Sequence, residues 1–401
     1  MTSQQPVIVI GAGPIGLAAA AHMLEYGLEP LVLESGEHAG AAISQWGHIQ
    51  LFSPWRYNID AACRRLLEET DWQEPNPGIL PTGAQLVEEY LKPIAAANTL
   101  DPRIRYRTRV VSVLRRQDSF LVRTETDGEV LDFQASAVID ASGTWHTPNP
   151  LGAGGLPAAG ENDDALAPHL LGPLPDVLGA DRHRVAGRRA LVVGSGHSAV
   201  NTLLNLVALR REVPSTSIQW AIRSADPQRS YGGEDRDGLP ERGALGTQLR
   251  QSVEAGQIEL LTSAEVQALE SVDGDLEASF QDGRGLRVDA LAAATGFRPD
   301  LEILRGLRLE LDPTVEAPVR LAPLIDPAVH SCGTVRAHGA AELAHPEEGF
   351  FIVGMKSYGR APTFLMATGY EQVRSVAAYL AGADASPRDL NLPATGVCSA
   401  G

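Results

Sequence analysis

The feature that most constrains this 401-residue chain is a device it uses twice: a short apolar run, a glycine turn and a helical stretch. Val7-Ile8-Val9-Ile10 leads into Gly11-Ala12-Gly13-Pro14-Ile15-Gly16, and Ala190-Leu191-Val192-Val193 leads into Gly194-Ser195-Gly196-His197-Ser198-Ala199. A run of four apolar residues closed by glycine reads as a strand buried on both faces, as in a parallel sheet. In G-x-G-x-x-G the first glycine permits the tight turn and the second lets a pyrophosphate approach the backbone. The third, or an alanine in its place, lets the helix pack closely on the strand. The helix start adds free N–H groups and the positive end of its dipole. Both openings therefore read as dinucleotide-binding units.

The residue closing the second strand of each unit separates the two ligands. The strand Pro30–Leu33 is closed by Glu34, with Ser35 beside it, and a carboxylate there can accept hydrogen bonds from ribose hydroxyls. The strand from Ile218 to Ile222 ends instead at Arg223. A carboxylate would repel a 2′-phosphate, whereas a guanidinium pairs with it bidentately. That favours NADPH at the second unit, with NADH as the alternative, an ordinary strand end as the bland reading of Arg223, and Arg229 as another clamp. A tightly held FAD in the first unit and a transient NADPH in the second give hydride transfer a simple route. His197 either lies beside the nicotinamide or pyrophosphate or begins its helix without a catalytic role.

Around these units the periodicity predicts a helix over 84–97, a β-meander over 104–133 and a buried strand over 137–140. Residues 147–187 read as an irregular excursion, 258–290 as a second meander, and 350–354 with 368–380 as a returning strand and helix. The expected fold is α/β with two Rossmann-like dinucleotide-binding domains. A three-layer FAD-binding domain is built from 1–150 and 321–401, and an NADPH-binding domain is inserted at 151–320.

Composition narrows the partners. Asp+Glu 50 against Lys+Arg 33 gives a net charge of −17, and no long basic run offsets it, so neither nucleic acid nor an anionic membrane is expected. The apolar stretch from Val7 to Leu24 imitates a membrane anchor or a signal peptide. Yet no Lys or Arg precedes Arg56, and glycines interrupt the run. Cys63, Cys332 and Cys398 are odd in number and never spaced C-x-x-C, which points to a reducing cytoplasm and no zinc or disulfide framework. No metal site is expected. The expected partner is a small-molecule substrate, with the chain a monomer or homodimer.

On these motifs the chain resembles the two-dinucleotide-binding-domain flavoproteins, in their flavin-containing monooxygenase-like branch. The resemblance adds the connectors Asp140-Ala141-Ser142-Gly143-Thr144-Trp145 and Ala293-Ala294-Thr295-Gly296-Phe297-Arg298-Pro299. More narrowly, Gln50 to Asp60, Gly194 to Ala199, His330 to Arg336 and Met355 to Phe364 resemble a subgroup associated with bacterial arsenic-resistance operons. It implies FAD, NADPH and oxygen, with Trp46, Gly143, Gly296, Gly354 and Thr363 joining the glycine-motif residues as cofactor contacts. Two departures stand out. The fingerprint F-x-G-x-x-x-H is absent, and Gly354-Met355-Lys356 stands where many relatives carry Gly-Asp.

Lys356 is one of only two lysines, the other being Lys92, and is the candidate catalytic residue. Either its ammonium, or the following helix N-terminus, stabilises negative charge at the flavin N1–C2=O end after reduction, or it is a surface lysine. Trp55, Arg56, Tyr57 and Asn58 are either a wall of the site or a well-packed crossing loop. Arg360 and Thr363 are further candidates for FAD contact, and Cys332 and Cys398 for soft ligands. The expected activity is NADPH-dependent oxygenation of a small soft nucleophile, an arsenical, sulfur or nitrogen centre. The alternatives are a flavin reductase or oxidase without oxygen insertion, and a non-catalytic flavin redox sensor.

Overall fold

A computed structural model describes residues 5–326, 335–361, 364–390 and 392. It divides into two compact units, one formed by the chain up to Thr147 together with Arg298–Leu392, the other by Pro148–Phe297. The first unit is built on a five-stranded parallel sheet. Its order is Phe350–Ile352, Ala137–Asp140, Val7–Ile10, Pro30–Leu33, Ile104–Arg105. The central strand shows why its sequence is apolar throughout. Val7 and Val9 enter a core shared with the helices Pro14–Glu25 and Met366–Leu380, while Ile8 and Ile10 enter a second core on the opposite face. That second core contains Val113, Phe120 and Val122 of the antiparallel meander Thr108–Arg116, Ser119–Thr126, Glu129–Ala135.

The inserted unit repeats this plan. Its parallel sheet runs Glu259–Leu261, Ser217–Ala221, Arg189–Val193, Ala290–Ala293, Leu170–Leu171. Ala190 and Val192 face the helix His197–Glu212, and Leu191 and Val193 face the meander Val266–Val272, Asp275–Phe280, Gly285–Val288.

Two expectations change and a third gains detail. The insert closes at Phe297 and not at 320, because Leu301, Leu304 and Leu307 find their apolar partners in the first unit's meander-side core. The strand near 258 pairs parallel with Ser217–Ala221 and so belongs to the main sheet, not to the meander. The helix expected over 84–97 is present as one unbroken run through Gly83–Leu86, Val87–Leu91 and Lys92–Ala95, its middle stretch widened into a π turn. Pro93 lacks the N–H that would bond the carbonyl four residues back, and its ring displaces that carbonyl, so the helix widens ahead of it. No helix among the described residues is long and apolar enough to cross a membrane.

A buried charge cluster locks the helix Pro14–Glu25 to the crossing segment. Asp60 caps the helix Ala61–Glu68, its Oδ1 accepting from the N–H groups of Ala62 (2.8 Å) and Cys63 (3.0 Å). Its Oδ2 lies 3.0 Å from His22 Nε2. Burial opposes charge on His22, but hydrogen bonds and attraction from Asp60 and Glu25 outweigh it and raise the imidazole to about 9. A group whose folded-state value is raised contributes stability that is complete below its unfolded value and lost as pH rises through the folded one. His22→Gln is therefore expected to cost about 3 kcal/mol near pH 6. The deficit should shrink steadily from pH 6.5 to about 9. Urea unfolding of both proteins across that range checks it; a deficit independent of pH contradicts the assignment.

Candidate functional site

In the first unit the chain leaves the central strand at Gly11, whose φ of +98° favours glycine. A Cβ there would stand 3.0 Å from Ala141 O and 3.2 Å from Ser142 Cα, so the turn lies against the connector from the neighbouring strand. At Gly16 a Cβ would fall 1.9 Å from Gly11 O, which fixes the third glycine as a packing requirement of the protein itself. Gly13 is different, since a Cβ there meets nothing within 4 Å. The open face lies at the start of the helix Pro14–Glu25, which has no side-chain cap and no acid in its first turn. Its leading N–H groups are free for an anion. Pro14 occupies the first turn, and Ile15 packs beneath Gly354, 3.0 Å from a Cβ placed there.

Glu34 is held in place by the backbone. Its Oε2 accepts from Ala12 N and its Oε1 from Gly36 N, both at 2.7 Å, with the Ser35 hydroxyl 3.5 Å from Oε1. Two backbone donors fix the carboxylate and leave lone pairs for ribose hydroxyls. Trp46 is half-buried against Trp145, ring centroids 6.4 Å apart, and Trp145 Nε1 donates to Gln45 Oε1 at 2.9 Å. Gly143 takes φ +71° with open space where a side chain would be. These residues form a cradle of the right chemistry for a flavin dinucleotide.

The crossing loop after this unit is mainly structural. Trp55 and Asn58 are buried, the Ser53 hydroxyl donates to Asn58 Oδ1 and Asn58 Nδ2 donates back to Ser53 O. Only Arg56 is exposed, its guanidinium over the half-buried Tyr57 ring at 5.0 Å. Arg360 is also exposed. Thr363, His330, Cys332 and Cys398 lie outside the described residues.

Lys356 is not a surface lysine. Its side chain is fully buried, as is that of Asp140, and its Nζ donates to Asp140 Oδ2 at 2.6 Å and to Ser142 Oγ at 3.0 Å. Ser142 in turn donates to Asp140 Oδ1 from its hydroxyl (2.6 Å) and its N–H (3.1 Å). The ammonium is thus not the free positive charge that the sequence suggests. The turn carrying it is fixed on its other side by Gln372, which accepts from Gly354 N at 2.7 Å and donates to Ser357 Oγ at 3.0 Å. Asp140 is a member of the site that the sequence motifs do not single out. The available signal is an acid closing the otherwise apolar run Ala137-Val138-Ile139.

The second unit repeats the glycine geometry. Gly194 has φ +134°, and a Cβ there would fall 2.0 Å from Ala294 O. Gly196 has nothing within 4 Å, while Ala199 is fully buried at the third position. The helix His197–Glu212 again has neither side-chain cap nor acid in its first turn. His197 is exposed, Ser198 half-buried, and Gly296 takes φ +85° in the closing connector. Trp220 Nε1 donates to Gly194 O at 2.7 Å and so braces the loop from the next strand. Past that strand Arg223 and Arg229 are both exposed. Neither makes an ion pair among the described residues.

A family model described as pyridine nucleotide-disulphide oxidoreductase matches residues 8–320. A ferredoxin–NADP reductase from Ignicoccus hospitalis is 25% identical over 310 residues, covering 76% of this chain and 81% of that protein. Among solved structures, the bacillithiol disulfide reductase Bdr from Bacillus cereus superimposes with a TM-score of 0.71 at 20% identity, over 95% of this chain and 99% of that one. DfoA, a cadaverine monooxygenase from Erwinia amylovora bound to FAD, gives 0.65 at 13% identity over 98% and 97%. The structural likenesses carry the fold.

The two glycines of the first loop should separate in experiment. Gly13→Ala is expected to leave the ligand-free chain's stability within about 0.5 kcal/mol and to reduce retention of a bound dinucleotide. Gly16→Ala should destabilise the chain itself by roughly 1–3 kcal/mol. Unfolding midpoints and dinucleotide occupancy after gel filtration measure both.

Proposed function

The chain belongs to the pyridine nucleotide-disulphide oxidoreductase family, and we propose that within it this protein is an FAD-dependent, NADPH-consuming monooxygenase of a small soft nucleophile. An arsenical, sulfur or nitrogen centre is the substrate class, in line with the sequence resemblance to the arsenic-resistance-operon subgroup. The observation that carries the cofactor reading is the contrast between two equivalent strand ends. In the first unit Glu34 is pinned by two backbone N–H groups, and in the second Arg223 stands exposed.

In this reading the Gly11–Gly16 loop and its helix end hold the FAD pyrophosphate, Glu34 the ribose, and Trp46 flanks the cofactor. The loop from Gly194 to Ala199 holds the NADPH pyrophosphate and Arg223 the 2′-phosphate. Bound FAD would supply the electron relay between nicotinamide and acceptor. The one cysteine among the described residues favours an external acceptor. Cys63 is buried and its thiol is pushed up by burial, which keeps it protonated and inert. The sequence contains no C-x-x-C to pass electrons through a dithiol. Such an enzyme works in a cytoplasmic setting on freely diffusing partners, substrate and oxygen, as a monomer or homodimer.

A reductase or oxidase is the second reading, supported by the reductases among the similar proteins. Anaerobic reduction with NADPH, followed by rapid mixing with isotopically labelled oxygen and arsenite, thiols or amines, separates the readings. Label in the product, with a transient absorbance distinct from oxidised and reduced flavin, is the expected result. Peroxide release matching NADPH consumption, with no labelled product, favours the reductase or oxidase. Failure of NADPH to reduce the flavin favours a redox sensor. Arg223→Ala is expected to raise KM for NADPH about tenfold, the loss of one charge-assisted contact of ~1.4 kcal/mol, and to leave KM for NADH unchanged. Steady-state kinetics with both nucleotides checks it.

A further inference from the structure

Lys356 and Asp140 are 216 positions apart in the chain and meet with both side chains fully shielded from solvent. Removing two charges from water costs several kcal/mol per ion, and replacing such a pair with apolar residues is often neutral or stabilising. The fold shows what apolar alternative was open. Asp140 stands in register with Ile10 on one side and Ile352 on the other. Stability alone is therefore a weak reason for the pair.

Its position supplies a better one. Asp140 closes its strand at the carboxyl edge of the parallel sheet, level with the residue preceding Gly11. Ser142, which bonds both members of the pair, has its Cα 3.2 Å from a Cβ placed on Gly11. Gly354, two residues before Lys356, is in contact with Ile15 of the glycine loop. In open α/β sheets this edge is where nucleotides bind. The pair underlies the dinucleotide cradle, and Ser142 is the exposed member of the network.

We infer that Lys356 and Asp140 are positioning residues for the redox chemistry of the flavin, a charge-neutral pair in which Asp140 cancels the lysine charge beneath the cradle and so sets the cofactor's potential. The inference rests on FAD occupying the first unit. Reduction adds negative charge to the isoalloxazine. A lone buried ammonium nearby would favour the reduced cofactor, and a lone buried carboxylate would disfavour it. In the pair the two influences oppose each other. A merely structural pair would not produce opposite signs on separation.

The test uses flavin-loaded protein as wild type, Asp140→Asn, Lys356→Met and the double variant. FAD occupancy is read first from absorbance, then the midpoint potential by anaerobic titration against reference dyes. Asp140→Asn is expected to move the potential in the positive direction and Lys356→Met in the negative direction. The double variant should lie closer to wild type than either single variant. Unmoved potentials, or shifts of the same sign in both single variants, overturn the inference. Lys356→Met leaves a buried carboxylate without its partner, and that variant is at risk of not folding. Asp140→Asn and the double variant then carry the test, since adding Lys356→Met must reverse the shift made by Asp140→Asn. Wild-type protein that holds no FAD overturns the assignment of the cradle itself, a failure seen at the occupancy step before any potential is read.

Discussion

Backbone-to-backbone contact at the carboxyl edge of each parallel sheet is the constraint on which the rest of the molecule depends. At Gly16 the space of a Cβ is taken by the carbonyl of Gly11, and at Gly194 by the carbonyl of Ala294. The Gly16 contact brings the first helix down onto its strand, the Gly194 contact seats the second turn against the neighbouring connector, and both helices start with no side-chain cap on their leading N–H groups. A chain of net charge −17 has no general attraction for polyanionic ligands. It can hold them only where geometry concentrates such donors, which is why two short glycine loops matter more here than the overall balance of charge.

The same local character makes much of the fold legible in the sequence. A strand buried on both faces must be apolar at every position, so Val7–Ile10 and Arg189–Val193 announce themselves, as does the alternation of the meander strands. The glycine motifs are contiguous, and their meaning follows from single-residue sterics. The helix Pro240–Glu254 is hidden for the opposite reason. Its packing face contains Gly243 and Gly246, where a Cβ would fall about 2 Å or less from the carbonyls of Glu234 and Tyr231, and the buried Arg242 paired with Asp237. A face built from absent side chains and a neutralised charge has no apolar period to read. The domain boundary at 297 is hidden as well, since an apolar segment such as Leu301–Leu307 does not state which core it will join.

The candidate site divides along the same line. Glu34 and Arg223 sit at strand ends fixed by the motif before them, so their places can be read in advance. Trp55 and Asn58 resemble site residues because aromatic and amide side chains suit both a cofactor wall and a packed loop. Only the tertiary contacts, with Asn58 bonded to Ser53 and its carbonyl taken by the Tyr370 hydroxyl, assign them to packing. Asp140 and Lys356 are each visible alone, as an acid closing an apolar strand and as a rare lysine. Their meeting depends on two strands that are neighbours in the sheet and far apart in the chain.

The choice of lysine at 356 is itself informative. The chain carries 33 basic residues and only two are lysine, so arginine is the residue this sequence supplies by default. Arginine presents a wide planar fork suited to bidentate partners, as Arg242 shows against the two oxygens of Asp237. At Asp140 one carboxylate oxygen is already taken by Ser142, leaving the other for the cation, and the second acceptor within reach is a hydroxyl. That arrangement suits a compact ammonium with rotatable donors and offers no parallel pair of acceptors to a guanidinium. The geometry of the carboxylate therefore selects lysine against the compositional trend, and it does so at the sheet edge where the glycine loop opens.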